Sequence, residues 1–160
     1  MGKLKWLVAL VVVVCVLLVL AYGLTHASIS ALPNPGPIET SWSGAARDWF
    51  ISRGARGVPR PSVANNAKSI SEGGNLFGTD CSTCHGENGR KPTQLGRAMY
   101  PRALDLGSQE VQKLSNRELF WTIKNGIRLS GMPGFAGIES DPEIWQLTYY
   151  VRSLGKGGTK

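Results

Sequence analysis

Residues 81–85 read Cys-Ser-Thr-Cys-His, and this run carries the chemistry of the chain. Two thiols separated by two residues sit one helical turn apart, and the next residue supplies an imidazole. Both thiols can then add to the two vinyl groups along one edge of a porphyrin, with the imidazole brought beneath the iron. The run therefore reads as covalent attachment of one c-type haem. Half of a zinc site is the competing reading, but no second Cys-x-x-Cys and no distant histidine within the same domain complete four ligands. A thioredoxin-like redox pair would need alternating strands and helices around it, and no strand pattern of any length is present.

A haem iron held by His85 needs a sixth ligand. His26, the one other histidine, follows a long apolar run and reads as an interfacial residue. Met1 precedes that run, which leaves Met99 and Met132. Met132 lies in Ser130-Gly131-Met132-Pro133-Gly134, where small and rigid neighbours let a loop approach a flat group and hold a side chain towards it. Met99 has bulkier neighbours and reads as core or loop filler. His85 and Met132 are thus the expected iron ligands. Trp121, Ile123, Phe135, Trp145 and Leu147 are candidates for an apolar pocket that keeps water from the metal. Arg97, Arg102 and Arg128 are candidates for pairing with haem propionates, beside the plain reading of solvated surface charge.

These residues must be positioned by a small set of helices. The spacing predicts a helix from about Ala67 to Phe77, Gly- and Pro-rich loops over 86–107, and a helix opened by the capping box Ser115-Asn116-Arg117-Glu118 and stopped near Gly126. A last helix has Asp141 as expected N-cap, Pro142 in its first turn and Gly155 past its end. Ile144, Leu147, Val151 and Leu154 would form its buried stripe.

Ahead of this domain the composition changes. Trp6 to Leu24 is uncharged and almost wholly Val, Leu and Ala, and nineteen residues at about 1.5 Å each span roughly 28 Å, a bilayer core. Lys3 and Lys5 precede it and no acid appears before Glu39, so the positive-inside bias places the N-terminus in the cytoplasm and the rest outside, in a bacterial periplasm. Thr25-His26-Ala27 is a passable cleavage site for a signal peptide, but the run exceeds the usual apolar core of one, and an uncleaved anchor over residues 1–27 is the reading adopted. Cys15, mid-span, reads as a small lipid-facing or packing residue. Residues 28–66 form a linker. Pro33, Pro35 and Pro37 stiffen its start, and Thr40 or Ser41 caps a short helix over about 42–53. Trp42, Ala46, Trp49, Phe50 and Arg53 recur at helical spacing, giving an aromatic face that packs on the domain itself or docks on a partner subunit or the membrane interface.

Length and composition exclude other classes. A chain of 160 residues holds one small domain plus an extension, and three cysteines are too few for a disulfide scaffold. The formal charge of +7 is spread without a basic block, so nucleic acid is not an expected partner. Residues 1–67 hold six Lys and Arg against two acids, and residues 68–160 hold twelve against nine, which makes long-range steering a modest effect in the C-terminal domain.

Residues 67–155 resemble the class I monohaem cytochromes c. Gly73 and Phe77 match the N-terminal helix signature of that family, Tyr150 the aromatic of the C-terminal helix that crosses the glycine, and Gly131-Met132-Pro133 the methionine-ligand loop. The resemblance implies an all-α domain over 67–160, with three main helices wrapped round one haem and a haem edge near the surface. It also implies contact of Phe77 and Pro133 with the haem, and Pro92 as the backbone carbonyl that bonds His85. A His/Met pair leaves no open iron position, so the expected function is one-electron transfer without a small-molecule substrate. The setting is an anchored subunit of a membrane respiratory or photosynthetic complex, which acts as a carrier rather than an enzyme. Alternatives are a tethered shuttle between complexes, a haem peroxidase or gas sensor, and a zinc-bearing module. The intact chain should therefore stain for haem peroxidase activity on a denaturing gel and exceed its sequence mass by one macrocycle. An unmodified mass would exclude haem attachment.

Overall fold

The computed structural model describes residues 2–26 and 35–156. Chain contacts divide it into two units, residues 1–30 and 31–160. The first is a single helix, α1 (Gly2–His26), long and apolar enough to cross a membrane. Near its end the His26 ring stacks on Tyr22 at 4.1 Å, so this imidazole is engaged within α1. The expected boundary at residue 27 and Pro33 of the expected spacer lie outside the described residues.

The second unit consists of helices and loops, with no strand among its described residues beyond one isolated bridge between Ala136 and Glu139. Its elements are α2 (Pro37–Ala55), α3 (Ala67–Asp80), α4 (Ser82–His85), α5 (Gln94–Ala98), α6 (Gln109–Gln112), α7 (Asn116–Asn125) and α8 (Asp141–Lys156).

α2 differs from the expected 42–53 helix. It starts earlier because Pro37 presets the helical φ at the first turn, Gly36 is the N-cap and Glu39 complements the positive helix end. Thr40 lies inside it, with its hydroxyl donating to Gly36 O at 2.9 Å. α3 starts where the side chain of Asn66 accepts from Ser69 N–H, and it runs three residues past Phe77 to meet the cysteine turn. The loop region 86–107 contains the short α5, capped by Thr93. α7 has the full capping box, with Ser115 and Glu118 each accepting the other's backbone N–H, and it stops at Gly126, where φ is 67°.

The start and end of α8 also depart from expectation. Ser140 precedes the helix, and the Glu143 carboxylate accepts its N–H at 2.8 Å, which leaves Asp141 as the first helical residue and free to pair with Lys124. Gly155 lies inside the helix, not beyond it. Ile144, Leu147 and Val151 form the buried stripe, with Leu154 only partly covered.

α3 and α8 cross almost backbone to backbone. A Cβ on Gly73 would lie 2.1 Å from Gln146 O, so only glycine permits the approach. Tyr150 packs over the next glycine, Gly74, and against Phe77 at 5.0 Å between ring centroids. Phe120 of α7 stacks on Trp145 of α8 at 4.4 Å, which joins the third helix to the pair. α2 packs on α7 through the buried Ile51 and Ala55, and Gly54 makes room for the Trp121 ring.

The two glycine environments of α3 give a paired prediction. Gly73→Ala should destabilise the haem-loaded protein by about 1–3 kcal/mol or more through overpacking. Gly78→Ala, where a Cβ meets nothing within 4 Å, should be neutral or stabilise by about 0.5–1 kcal/mol through helix propensity. Denaturant unfolding followed by far-UV circular dichroism measures both, and equal effects would refute the close crossing.

Candidate haem-binding site

The cysteine run folds as one tight turn at the end of α3. Cys81 closes α3, and its carbonyl accepts from Cys84 N–H at 3.1 Å and from His85 N–H at 2.9 Å. Gly86, at φ 78°, then turns the chain sharply, and a Cβ there would strike Lys91 O at 2.1 Å. The chain returns along α4, with Thr93 N–H donating to Cys84 O at 3.1 Å and the Thr93 hydroxyl to Thr83 O at 2.7 Å. Further on, Ala103 N–H donates to Gly96 O and Leu106 N–H to Gly89 O, which fixes the backbone between them.

That fixed stretch presents Leu104 O to His85 Nδ1 at 3.0 Å. A carbonyl only accepts, so Nδ1 carries the proton and Nε2 keeps its lone pair. Burial pushes the imidazole below its usual range, against the opposing bond to Leu104, so the neutral, ligating form prevails at neutral pH. Burial, followed by the charges of Asp80 and Cys84, pushes the Cys81 thiol up to about 12. A thiol so hard to ionise does not suit thiol–disulfide exchange. Among the described residues no cluster of three or more His, Cys, Asp or Glu side chains suits a metal ion.

His85, Cys81 and Cys84 line a largely apolar cavity. Phe77, Ile123, Phe135, Leu147 and Val151 wall it, and Met132 and Pro133 enter from the loop between α7 and α8. That loop is stitched to the end of α7. Ile127 N–H donates to Met132 O at 3.2 Å, Met132 N–H to the Ser130 hydroxyl at 3.1 Å, and Phe135 N–H to Ile123 O at 3.1 Å. Leu129, at φ 64°, bears the local strain of the turn.

Several sequence-predicted residues lie elsewhere. Pro92 does not meet His85; its carbonyl accepts from Arg97, and the neighbouring main chain reaches the imidazole only at Leu104. Arg97 is exposed and away from the cavity wall, as is Arg128. Trp121 faces α2, with its ring over Gly54, because α2 covers that side of α7. Trp145 is buried in the core between Phe120 and Tyr149, behind the cavity wall. Arg102 does line the cavity, and Met99 lines it together with Met132. Its sulfur lies so close to Gly131 that a Cβ there would come within 2.6 Å.

Sequence reasoning also missed a wall. Arg47, Asp48 and Ile51 of α2 reach the cavity, with Arg47 paired to Asp48 at 2.9 Å and to Glu110 at 3.2 Å. The only trace of this in the sequence is the spacing of Ile51 and Ala55 on the side of α2 opposite its aromatic residues.

The residues present fit a covalently held haem. Two thiols one turn apart, an imidazole with one nitrogen tied and the other free, and two thioethers surround an apolar space inside an otherwise close-packed domain. The Thr122 hydroxyl, on a lining residue, is buried without a partner and can donate to an acceptor on an occupant of the cavity.

Comparison with known proteins agrees with this chemistry. Residues 68–151 match the family described as cytochrome c oxidase, cbb3-type, subunit III. The cbb3-type cytochrome c oxidase subunit FixP of Azorhizobium caulinodans is 34% identical over 96 residues, which are 60% of this chain and 31% of that protein. The chain thus spans about a third of the length of this curated relative. Among solved structures, a chain of the reducing HAO-like protein complex Kustc0457/Kustc0458 of Kuenenia stuttgartiensis matches with a TM-score of 0.53 and 25% identity, over 61% of this chain and 47% of that one. The matched segment contains the whole Cys81–His85 turn and Met132, and covers more than half of the sequence. Behind a membrane-anchoring helix, this chain therefore belongs to the family of subunit III of the cbb3-type cytochrome c oxidases, the c-type cytochrome component to which a covalently bound haem is proper.

Proposed function

We propose that the chain carries single electrons through one covalent haem c, held between His85 and Met132, as the anchored subunit of a membrane respiratory oxidase complex. The observation that carries this reading is the His85–Leu104 bond, which ties Nδ1 and leaves Nε2 as the available donor on a residue that lines the same cavity as Met132. When bound, the haem supplies a one-electron iron couple.

The rest is done by the chain. Cys81 and Cys84 retain the group covalently, which matters in a domain whose own core is small. Leu104 O holds the proton at Nδ1 and fixes the ring plane. The Met132 thioether, as a soft donor to the iron, would favour the ferrous state and so raise the potential. Phe77, Ile123, Phe135 and Leu147 exclude water, which keeps the solvent reorganisation that accompanies electron transfer small. With His85 and Met132 as its ligands, the haem would offer no position for substrate chemistry, so the chain would act as a carrier and not as an enzyme by itself. The lysines at 3 and 5 orient α1 with its start in the cytoplasm and the haem domain on the periplasmic face of a bacterial inner membrane.

Met132→Ala should leave the haem attached, abolish the methionine–iron charge-transfer band and lower the midpoint potential by an amount on the order of 0.1 V, within the roughly 0.8 V that axial ligands span. Met99→Ala should retain the band, and the reverse pattern would move the ligand to Met99. Carbon monoxide binding to the reduced wild type would instead favour a sensor or peroxidase. Gentle solubilisation should yield the haem in an assembly well above the 17.2 kDa of the chain, together with other polypeptides. A lone species would point to a tethered shuttle.

A further inference from the structure

α2 has two faces of opposite character. One is fixed to the domain by the buried Ile51 and Ala55, by Gly54 beneath Trp121, and by Arg47–Glu110 and Asp48–Lys113 ion pairs of 3.2 and 3.4 Å. On the opposite side the helical period aligns Ile38, Trp42, Ala45, Ala46 and Trp49, with no charged side chain among them. Ile38, Trp42 and Trp49 are 75%, 77% and 55% exposed. The stripe ends at Arg53, whose guanidinium lies 5.6 Å from the centroid of the Trp49 ring, and Arg56 and Arg60 follow. The acids of α2 are engaged elsewhere, Asp48 with Arg47 and Lys113 and Glu39 with the Tyr100 hydroxyl.

Position along the chain limits what can cover this stripe. Ten residues, 27–36, separate α1 from α2, so α2 begins within about 40 Å of contour from the end of the membrane helix. Tryptophan on an apolar stripe, with arginine at its end, has the chemistry of the headgroup region, where the ring is half buried and the cation meets phosphate. A standard protein interface would call for a broader patch with a polar, hydrogen-bonding rim. We propose that α2 lies in the membrane–water interface, with Ile38, Trp42 and Trp49 seated at headgroup depth and Arg53, Arg56 and Arg60 on lipid phosphates. This rests on α1 spanning the same bilayer.

The test uses the full-length, haem-loaded protein carrying Cys15→Ser, reconstituted in vesicles of phosphatidylcholine and phosphatidylglycerol and kept reduced so that the iron is diamagnetic. A nitroxide is placed at Ala45→Cys on the stripe or at Thr40→Cys on the other side of the helix. Collisions with oxygen should exceed those with a water-soluble nickel chelate at 45, and the reverse should hold at 40. Adding Trp42→Ser and Trp49→Ser should raise nickel access at 45 several-fold while the protein still floats with the vesicles. Equal nickel access at 45 and 40 in floating protein overturns the proposal. If the label at 45 then becomes shielded only within the isolated complex, the occupant is a polypeptide. Loss of flotation from the parent protein refutes the anchor itself and is read separately.

Discussion

The crossing of α8 against Gly73 of α3, main chain on main chain, is the constraint on which the site depends. A Cβ at this point would sit 2.1 Å from a carbonyl oxygen, so the two helix axes are as near as backbones allow. Two consequences follow from that contact alone. Phe77 lies one turn further along α3 and Cys81 one turn beyond it, so the crossing sets where the thiols emerge. On α8, Leu147 lies at the contact itself, and Val151 one turn on reaches the same cavity. A domain built round a large flat group cannot rely on a continuous side-chain core to hold its helices. It needs a crossing that is rigid without the group, and main-chain contact supplies one.

The imidazole and the thioether reach the cavity by different means. His85 is fixed by the turn that bears the cysteines, because His85 N–H and Cys84 N–H share the Cys81 carbonyl. Its ring orientation is set from outside that turn, by Leu104 O. Met132 is carried by a loop pinned to the end of α7, where Gly126 and Gly134 let two stretches of backbone come together without side chains between them. Gly126 would place a Cβ 2.5 Å from Pro133 C, and Gly134 would place one 2.7 Å from Asn125 O. The small residues around Met132 therefore serve the fit of the loop on the helix as much as its approach to a flat group.

Features encoded over three or four residues were legible in the sequence. The Ser115–Glu118 box and the stop at Gly126 depend on local hydrogen bonds, and so does the one-turn spacing of Cys81 and Cys84. What failed was long-range. The carbonyl facing His85 belongs to Leu104 rather than Pro92, because main-chain oxygens carry no residue signature and the intervening loop decides which one arrives. Trp121 and Trp145 are apolar and suitably placed in sequence, yet each faces a helix rather than the cavity. α8 is covered on several sides, so its periodicity identifies buried positions without saying which of them is next to the haem site. Only the spacing of Ile51 and Ala55 hints in the sequence that α2 covers α7, and that cover turned Trp121 away and brought Arg47 and Ile51 to the wall.

The charge distribution bears on how such a domain meets a redox partner. Its mild excess of cations would give little steering at physiological salt, where exposed charges act over about 8 Å. An anchor changes the problem. Confinement to a membrane surface raises the effective concentration of a partner held in the same surface, so a weak interface suffices and rapid release is retained. What confinement by a single anchor does not in itself provide is orientation. A second attachment some distance from the first restricts turning of the domain. In this chain the helix best placed to provide one, α2, is also a wall of the haem cavity, so whatever α2 rests on is mechanically continuous with the site.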